Sequence, residues 1–207
     1  LEEPTLQLAE ANLSAGSLTV TLADDTISRD EWAFDFSFPE EQGVPNPHLW
    51  LDVRHTMAYV ELIRDALAEV DPAGSDVYAD NAARYLTRLE ELDAAIEQAI
   101  ATIPAGNRKL VTYHDSWPYF GRRYDIEVVA AVQPSDFSEP SASEVRSIID
   151  QVRDAQVPAV FGSEVFPTEV VRVIAEEAGA TYVAELSDDE LPGVPGDPEH
   201  SYVGMMV

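Results

Sequence analysis

The sequence has no cysteine. Disulfide staples, thiolate metal sites and cysteine nucleophiles are therefore excluded, but the compartment is not, since a cysteine-free chain suits an oxidising space as well as the cytosol. Basic residues are scarce. Twelve Lys and Arg, with Lys109 the single lysine, stand against 39 Asp and Glu in 207 residues, for a formal net charge of −27. Such a surface repels phosphate backbones and anionic lipid headgroups, which argues against nucleic-acid binding and against a polybasic membrane anchor. Cationic partners, metal ions among them, stay open. No apolar run reaches the roughly 18 residues that cross a bilayer, and the opening LEEPTLQLAEANL is neither basic nor continuously apolar, so no export signal is read in it. HExxH, GxSxG, the Walker glycine loop and GxGxxG are all missing, which removes the common signatures of metalloprotease, hydrolase, nucleotide and dinucleotide sites.

What is present is an ordinary apolar content of 45%, too high for a chain kept disordered by its charge. A chain of this length buries one large core or two modest lobes. Residues 1–47 read as short elements: a helical stretch with Leu1, Leu6, Leu8 and Leu13, a strand at 17–23, and an acidic loop ending at Pro47 and His48. Asp52 is a plausible N-cap for a helix carrying Met57, Val60, Ile63, Leu67 and Val70 at helical spacing, which Pro72 stops. From Tyr78 to Ile103 the apolar positions advance in alternating steps of four and three, which predicts one long helix of about 39 Å. The rhythm then changes to strands at 109–113, 126–132, 158–161 and 181–186. Helices fall between them: a patch at 117–124, one opened by a Ser141–Glu144 capping box, and one opened by Pro167 and stopped by Gly179. Strands alternating with helices predict βαβ units, an α/β class and a largely parallel sheet.

In such a sheet ligands sit beyond the carboxyl ends of the strands, so the residues just after each strand are the first candidates. His114 follows the strand at 109–113, Glu164 the strand at 158–161, and Asp188 the strand at 181–186. His48 closes the acidic loop in NPHLWLD. Imidazole and carboxylate groups from separate elements, meeting without a thiolate, suit Zn²⁺, Mn²⁺ or Fe²⁺. Each residue also has a plainer use: a strand-end histidine serves as a hydrogen-bonded structural group, and Asp188 as a helix cap or turn residue. His55, in the first turn of a helix, reads as a surface residue, and His200 lies in a Pro- and Gly-rich loop. Tyr119, Phe120 and Tyr124 read as core packing.

Several blocks occur together in one order: NPHLWLD at 46–52, VTYHDSWPYFGRRYDIEV at 111–128, VPAVFGSEVF at 157–166, IAEEAGATYV at 174–183, LSDDELPG at 186–193 and SYVGMM at 201–206. In these the chain resembles the zinc and manganese solute-binding proteins of ABC importers, the cluster A-I or periplasmic zinc-binding lipoprotein family. The resemblance implies two α/β lobes joined by a long rigid backbone helix, with a metal in the interlobe cleft. It implies that 1–52 is the remainder of the N-terminal lobe, 53–104 the helical region with the linking helix, and 105–207 the C-terminal α/β lobe. It carries metal ligation to His48 in the PHxW block, His114 in the T-x-H-D-x-F/W block and Asp188 in the [ST]-D block, with Asp189 as the ligand if the loop is shifted by one residue. Glu164 matches a family glutamate that is usually not a ligand. The family's first ligand, a histidine near a Pro-His-x-Tyr-Glu sequence, has no counterpart here. The chain therefore reads as lacking parts of both ends, with the N-terminal lobe incomplete and any signal or lipobox outside it.

Where relatives favour manganese the middle ligand is often a glutamate. His114 makes the present set nitrogen-rich, which favours Zn²⁺, with Mn²⁺ the alternative. The implied function is high-affinity capture of a divalent metal ion outside the cytoplasmic membrane and delivery to an ABC transporter permease. The implied protein is a monomer and not an enzyme, and it meets the membrane only through a lipid anchor or the permease. Two readings from other classes stand beside it: a zinc-dependent hydrolase with water in the fourth position and Glu164 or Asp115 as base, and a surface adhesin.

Overall fold

A computed structural model of the protein describes residues 8–9, 11–14, 17–133, 139–165, 169–184 and 186–207. It is an α/β structure in which, among the described residues, four strands, β1 (Lys109–Thr112), β2 (Glu127–Ala131), β3 (Ala159–Phe161) and β4 (Thr181–Val183), form one parallel sheet in the order β2-β1-β3-β4. The order turns back between β1 and β3, because β2 is added on one side of β1 and β3 on the other. That reversal opens a crevice at the carboxyl edge, where a parallel sheet binds its ligands.

Strand alternation assigns the two faces. Val111 and Val160 point to a core shared with Ile148 and Val152 of α5 (Ala142–Asp154) and Val171 and Ile174 of α6 (Glu169–Ala178). Their neighbours Leu110 and Phe161 point the other way, toward Leu51 and Trp117. Each side chain buried this fully contributes about 1.5–3 kcal/mol. The predicted capping box is present, with the Ser141 Oγ accepting from the Glu144 N–H and the Glu144 carboxylate from the Ser141 N–H. Gly179, at φ 78°, ends α6 in the left-handed conformation that a helix C-terminus commonly needs. Pro167, expected to open that helix, lies outside the described residues.

The helical region precedes the sheet. The Asp52 carboxylate accepts from the Arg54 N–H at 2.8 Å and starts α2 (Val53–Val70). After a 3₁₀ turn at Pro72–Gly74 the long helix α3 (Ser75–Ala101) runs for 27 residues, about 40 Å. It begins three residues before the apolar pattern does. It ends before Ile103 because the Thr102 and Ile103 N–H groups turn back to carbonyls three residues earlier, tightening the last turn. Leu89, Leu92 and Ile96 of α3 pack with Val53 of α2 and with Tyr124 of α4 (Pro118–Tyr124). Among the described residues no helix is long and apolar enough to cross a membrane.

The expected strand at 17–23 is not formed. Residues 17–21 have no regular structure and Leu22–Thr26 is a short helix, α1, lying against α2. A strand needs a neighbour to satisfy its backbone groups, and among the described residues the sheet pairs only β1 to β4. Asp24 and Asp25 in the first turn of α1 favour the helix instead. In the expected N-terminal helix, Leu8, Ala9, Ala11 and Asn12 are helical, and residues 1–7 lie outside the described set.

Candidate metal centre

His48 sits at the start of a 3₁₀ turn, Leu49–Leu51, whose two leucines are buried and fix its backbone. The residue is 4% exposed and its ring lies edge-on to Trp50. The fully buried Asn46 orients it: the Asn46 side-chain amide donates to the Asp115 carbonyl at 2.8 Å, which leaves Asn46 Oδ1 to accept from His48 Nδ1–H at 2.7 Å. His48 Nε2 is therefore the nitrogen that carries the free lone pair. His114, the second residue beyond β1, is held the same way. Its Nδ1–H donates to Gln133 Oε1 at 2.6 Å, from the residue two past β2, and turns Nε2 toward His48. Hydrogen bonds of this kind set tautomer and ring angle at metal-binding histidines.

The two Nε2 atoms are 3.1 Å apart. The Asp189 carboxylate lies 3.4 Å from His114 Nε2 and 3.8 Å from His48 Nε2, and the three donor atoms fall within 4.8 Å of one another. Ligands at about 2.0–2.1 Å from a tetrahedral zinc are about 3.3–3.4 Å apart, so the spacing fits such an ion. With both Nδ1 atoms donating outward, the two Nε2 atoms face each other at a spacing that a cation between them satisfies. A proton does not serve at His48, because burial, with the neighbouring His114, pushes its pKa down to about 3.

The structure thus brings His48 and His114 together and sets Asp189, rather than Asp188, against them. The Asp188 side chain is 1% exposed and accepts from the Ser116 hydroxyl, while its Oδ1 is buried without a hydrogen-bond partner. Burial raises its pKa to about 7, and the charges of Asp189 and Glu164 add to the rise. Its carbonyl accepts from Trp50 Nε1–H at 2.9 Å, which ties the acidic loop to the segment that carries His48. Glu164, beyond β3, accepts from the backbone N–H groups of Asp188, Asp189 and Glu190. The other two histidines stand elsewhere: His55 Nδ1–H donates to the Leu49 carbonyl and His200 Nδ1–H to the Pro192 carbonyl.

Behind His48 two carboxyl groups face each other, and burial with the charge of Asp115 pushes Asp35 up to about 8. In the unfolded chain Asp35 ionises near 3.8. Between those values the folded protein keeps a proton that the unfolded chain has lost, so this contribution to stability is full at low pH and falls away as pH rises toward 8. Asp35→Asn is expected to melt above wild type at pH 8, with the gap closing toward pH 4. Thermal unfolding across that range measures it, and a gap independent of pH would count against the buried pair.

A sequence model of the family described as the periplasmic zinc-uptake complex component A, ZnuA, matches residues 1–207. The chain belongs to that family. Members are solute-binding components of transport systems and not enzymes, so the hydrolase reading falls. The manganese-binding lipoprotein MntA of Halalkalibacterium halodurans is 32% identical over 167 residues, covering 81% of this chain and 55% of its own. The iron-binding protein YfeA of Yersinia pestis is 31% identical over 164 residues, covering 79% of this chain and 52% of its own. The chain spans about half the length of the curated relatives it matches. Among solved structures, the periplasmic zinc-binding protein TroA of Treponema pallidum superposes with a TM-score of 0.84 at 26% identity, over 99% of this chain and 73% of that one. Three relatives thus carry three different metals in their names.

Reading the sequence overlooked Asn46 and Gln133. Gln133 stands just beyond β2, where the strand-end rule that singled out His114 applies equally. Asn46 opens the NPHLWLD block two residues ahead of His48.

Proposed function

We propose that the protein captures a divalent transition metal ion outside the cytoplasmic membrane and delivers it to the permease of an ABC importer, with zinc as the favoured cargo. The observation that carries this reading is the meeting of donor atoms from His48, His114 and Asp189 within 4.8 Å, each imidazole turned inward by its own hydrogen-bond partner. Family membership supports it, as do relatives named for manganese, iron and zinc. The lipoprotein name of one relative supports the extracytoplasmic placement.

His48 and His114 bind the ion through Nε2. Asp189 supplies the carboxylate on its position against the imidazoles. Asp188, the residue that the motif favours, is the second reading, because its orphaned buried oxygen is one that a cation would satisfy. Two nitrogens and one carboxylate suit zinc, while the further carboxylates of Asp188 and Glu164 nearby support manganese as the alternative. Capture requires no proton to leave His48, whose ring stays neutral down to about pH 3. Release works on the acidic loop, since the loop carries the carboxylate and is gripped by Trp50 on one side and Glu164 on the other.

Calorimetric titration of the protein with Zn²⁺ and Mn²⁺ tests this. Zinc is expected to bind with submicromolar affinity and more tightly than manganese. Asp189→Asn is expected to weaken zinc binding about a hundredfold and Asp188→Asn much less. The reverse order would hand ligation to Asp188, and zinc binding no tighter than micromolar in the wild type would sink the reading.

A further inference from the structure

Glu164 stands beyond β3 at the crevice, yet its carboxylate does not join the two imidazoles. Its Oε1 instead accepts from three successive backbone N–H groups, those of Asp188 at 3.1 Å, Asp189 at 3.1 Å and Glu190 at 3.2 Å. Three consecutive N–H groups converging on one oxygen form an anion-holding nest, and the nest fixes the peptide planes of the whole loop. With those planes fixed, the side chains at 188 and 189 leave in different directions. Asp188 goes to Ser116, and Asp189 goes to the histidines. The opposite side of the same loop is clamped where Trp50 Nε1–H donates to the Asp188 carbonyl. A loop with two adjacent aspartates has no intrinsic preference for presenting one over the other, so the choice comes from what grips its backbone.

We propose that Glu164 is the positioning residue of this centre: by gripping residues 188–190 it selects which aspartate meets His48 and His114, and so sets how fast the ion leaves. The proposal rests on the metal-capture reading, and its test separates the two. Zinc affinity and the rate of zinc release to excess chelator are measured for full-length wild type, Glu164→Ala, Glu164→Gln and His114→Ala. Loss of an outer hydrogen-bond partner of a metal ligand typically costs 10–100-fold in affinity, so Glu164→Ala is expected to bind zinc about 10–100-fold more weakly, through faster release. Glu164→Gln keeps an oxygen for the nest and is expected to recover most of that loss.

A second readout distinguishes positioning from mere support. In the wild-type background Asp188→Asn and Asp189→Asn are expected to differ in their effect on zinc affinity; in the Glu164→Ala background that difference is expected to collapse. Wild-type affinity and release in Glu164→Ala, or an undiminished difference between the two aspartate variants, overturns the proposal while a weakened His114→Ala keeps the capture reading. Unchanged affinity in His114→Ala overturns the capture reading itself. Should Glu164→Ala fail to fold, Glu164→Asp takes its place: its side chain, one methylene shorter, reaches the nest poorly and is expected to release zinc faster than Glu164→Gln. Equal release by Asp, Gln and wild type overturns the proposal.

Discussion

Replacing His114 with alanine is expected to weaken zinc binding by about two to three orders of magnitude. A protein zinc site of four ligands is worth about 10–16 kcal/mol near neutral pH, or about 2.5–4 kcal/mol per ligand, and each 1.4 kcal/mol is a factor of ten. The loss at His114 should reach the upper part of that range. Its Nε2 is 3.1 Å from His48 Nε2 and 3.4 Å from the Asp189 carboxylate, so it neighbours both other donors. Truncation also strands Gln133 Oε1, which accepts from the ring and is buried. His200→Ala is the control, because that ring bonds the Pro192 carbonyl and is not one of the clustered donors; it is expected to bind zinc as wild type does. Calorimetry or competition with a chromogenic chelator measures both. Submicromolar binding that survives His114→Ala would remove His114 from the centre.

The two histidines stood out as candidates because their positions follow from local rules. His114 stands just past a strand of apolar residues bounded by a helix, and His48 just past a proline-closed loop. The parallel sheet was legible for the same reason, since caps at Ser141 and Gly179 and strand-length apolar runs are written within a few residues of each element. For the aspartate the local signal stops at the Asp188–Asp189 pair. Whether residue 188 or 189 faces the imidazoles depends on a hydroxyl 72 residues earlier, at Ser116, and on a carboxylate 24 residues earlier, at Glu164. No periodicity in a short acidic loop encodes contacts of that range. The misread strand at 17–23 has a related cause: the β-branched Thr19, Val20 and Thr21 stand together there, but strand formation needs a partner that local sequence cannot supply.

Asp93→Ala is expected to lower stability by about 3–5 kcal/mol, the cost of stranding a buried charge by deleting its partner. Asp93 lies on the long helix with its side chain 14% exposed and pairs with Arg123, 8% exposed, at the end of α4. The Tyr124 hydroxyl donates to the other Asp93 oxygen at 2.8 Å. Arg123 Nε is already buried without a partner, so loss of Asp93 leaves that guanidinium with little to offset its desolvation. For a chain of this length about 1 kcal/mol moves Tm by about 2–4 °C, which puts the melting point about 6–20 °C below wild type. The double variant Asp93→Leu with Arg123→Met replaces the pair by apolar groups and is expected to regain most of the loss, as buried pairs often do when both charges go. The pair ties α3 to α4, and α4 begins two residues after Ser116, the residue that holds Asp188. Asp93 itself touches no metal ligand. Saturating zinc should therefore raise the Tm of Asp93→Ala by nearly the same free energy as in wild type, about 4 kcal/mol at a thousandfold excess over Kd. A zinc-induced rise that vanished in the variant would mean that the long helix shapes the site as well as supporting the fold.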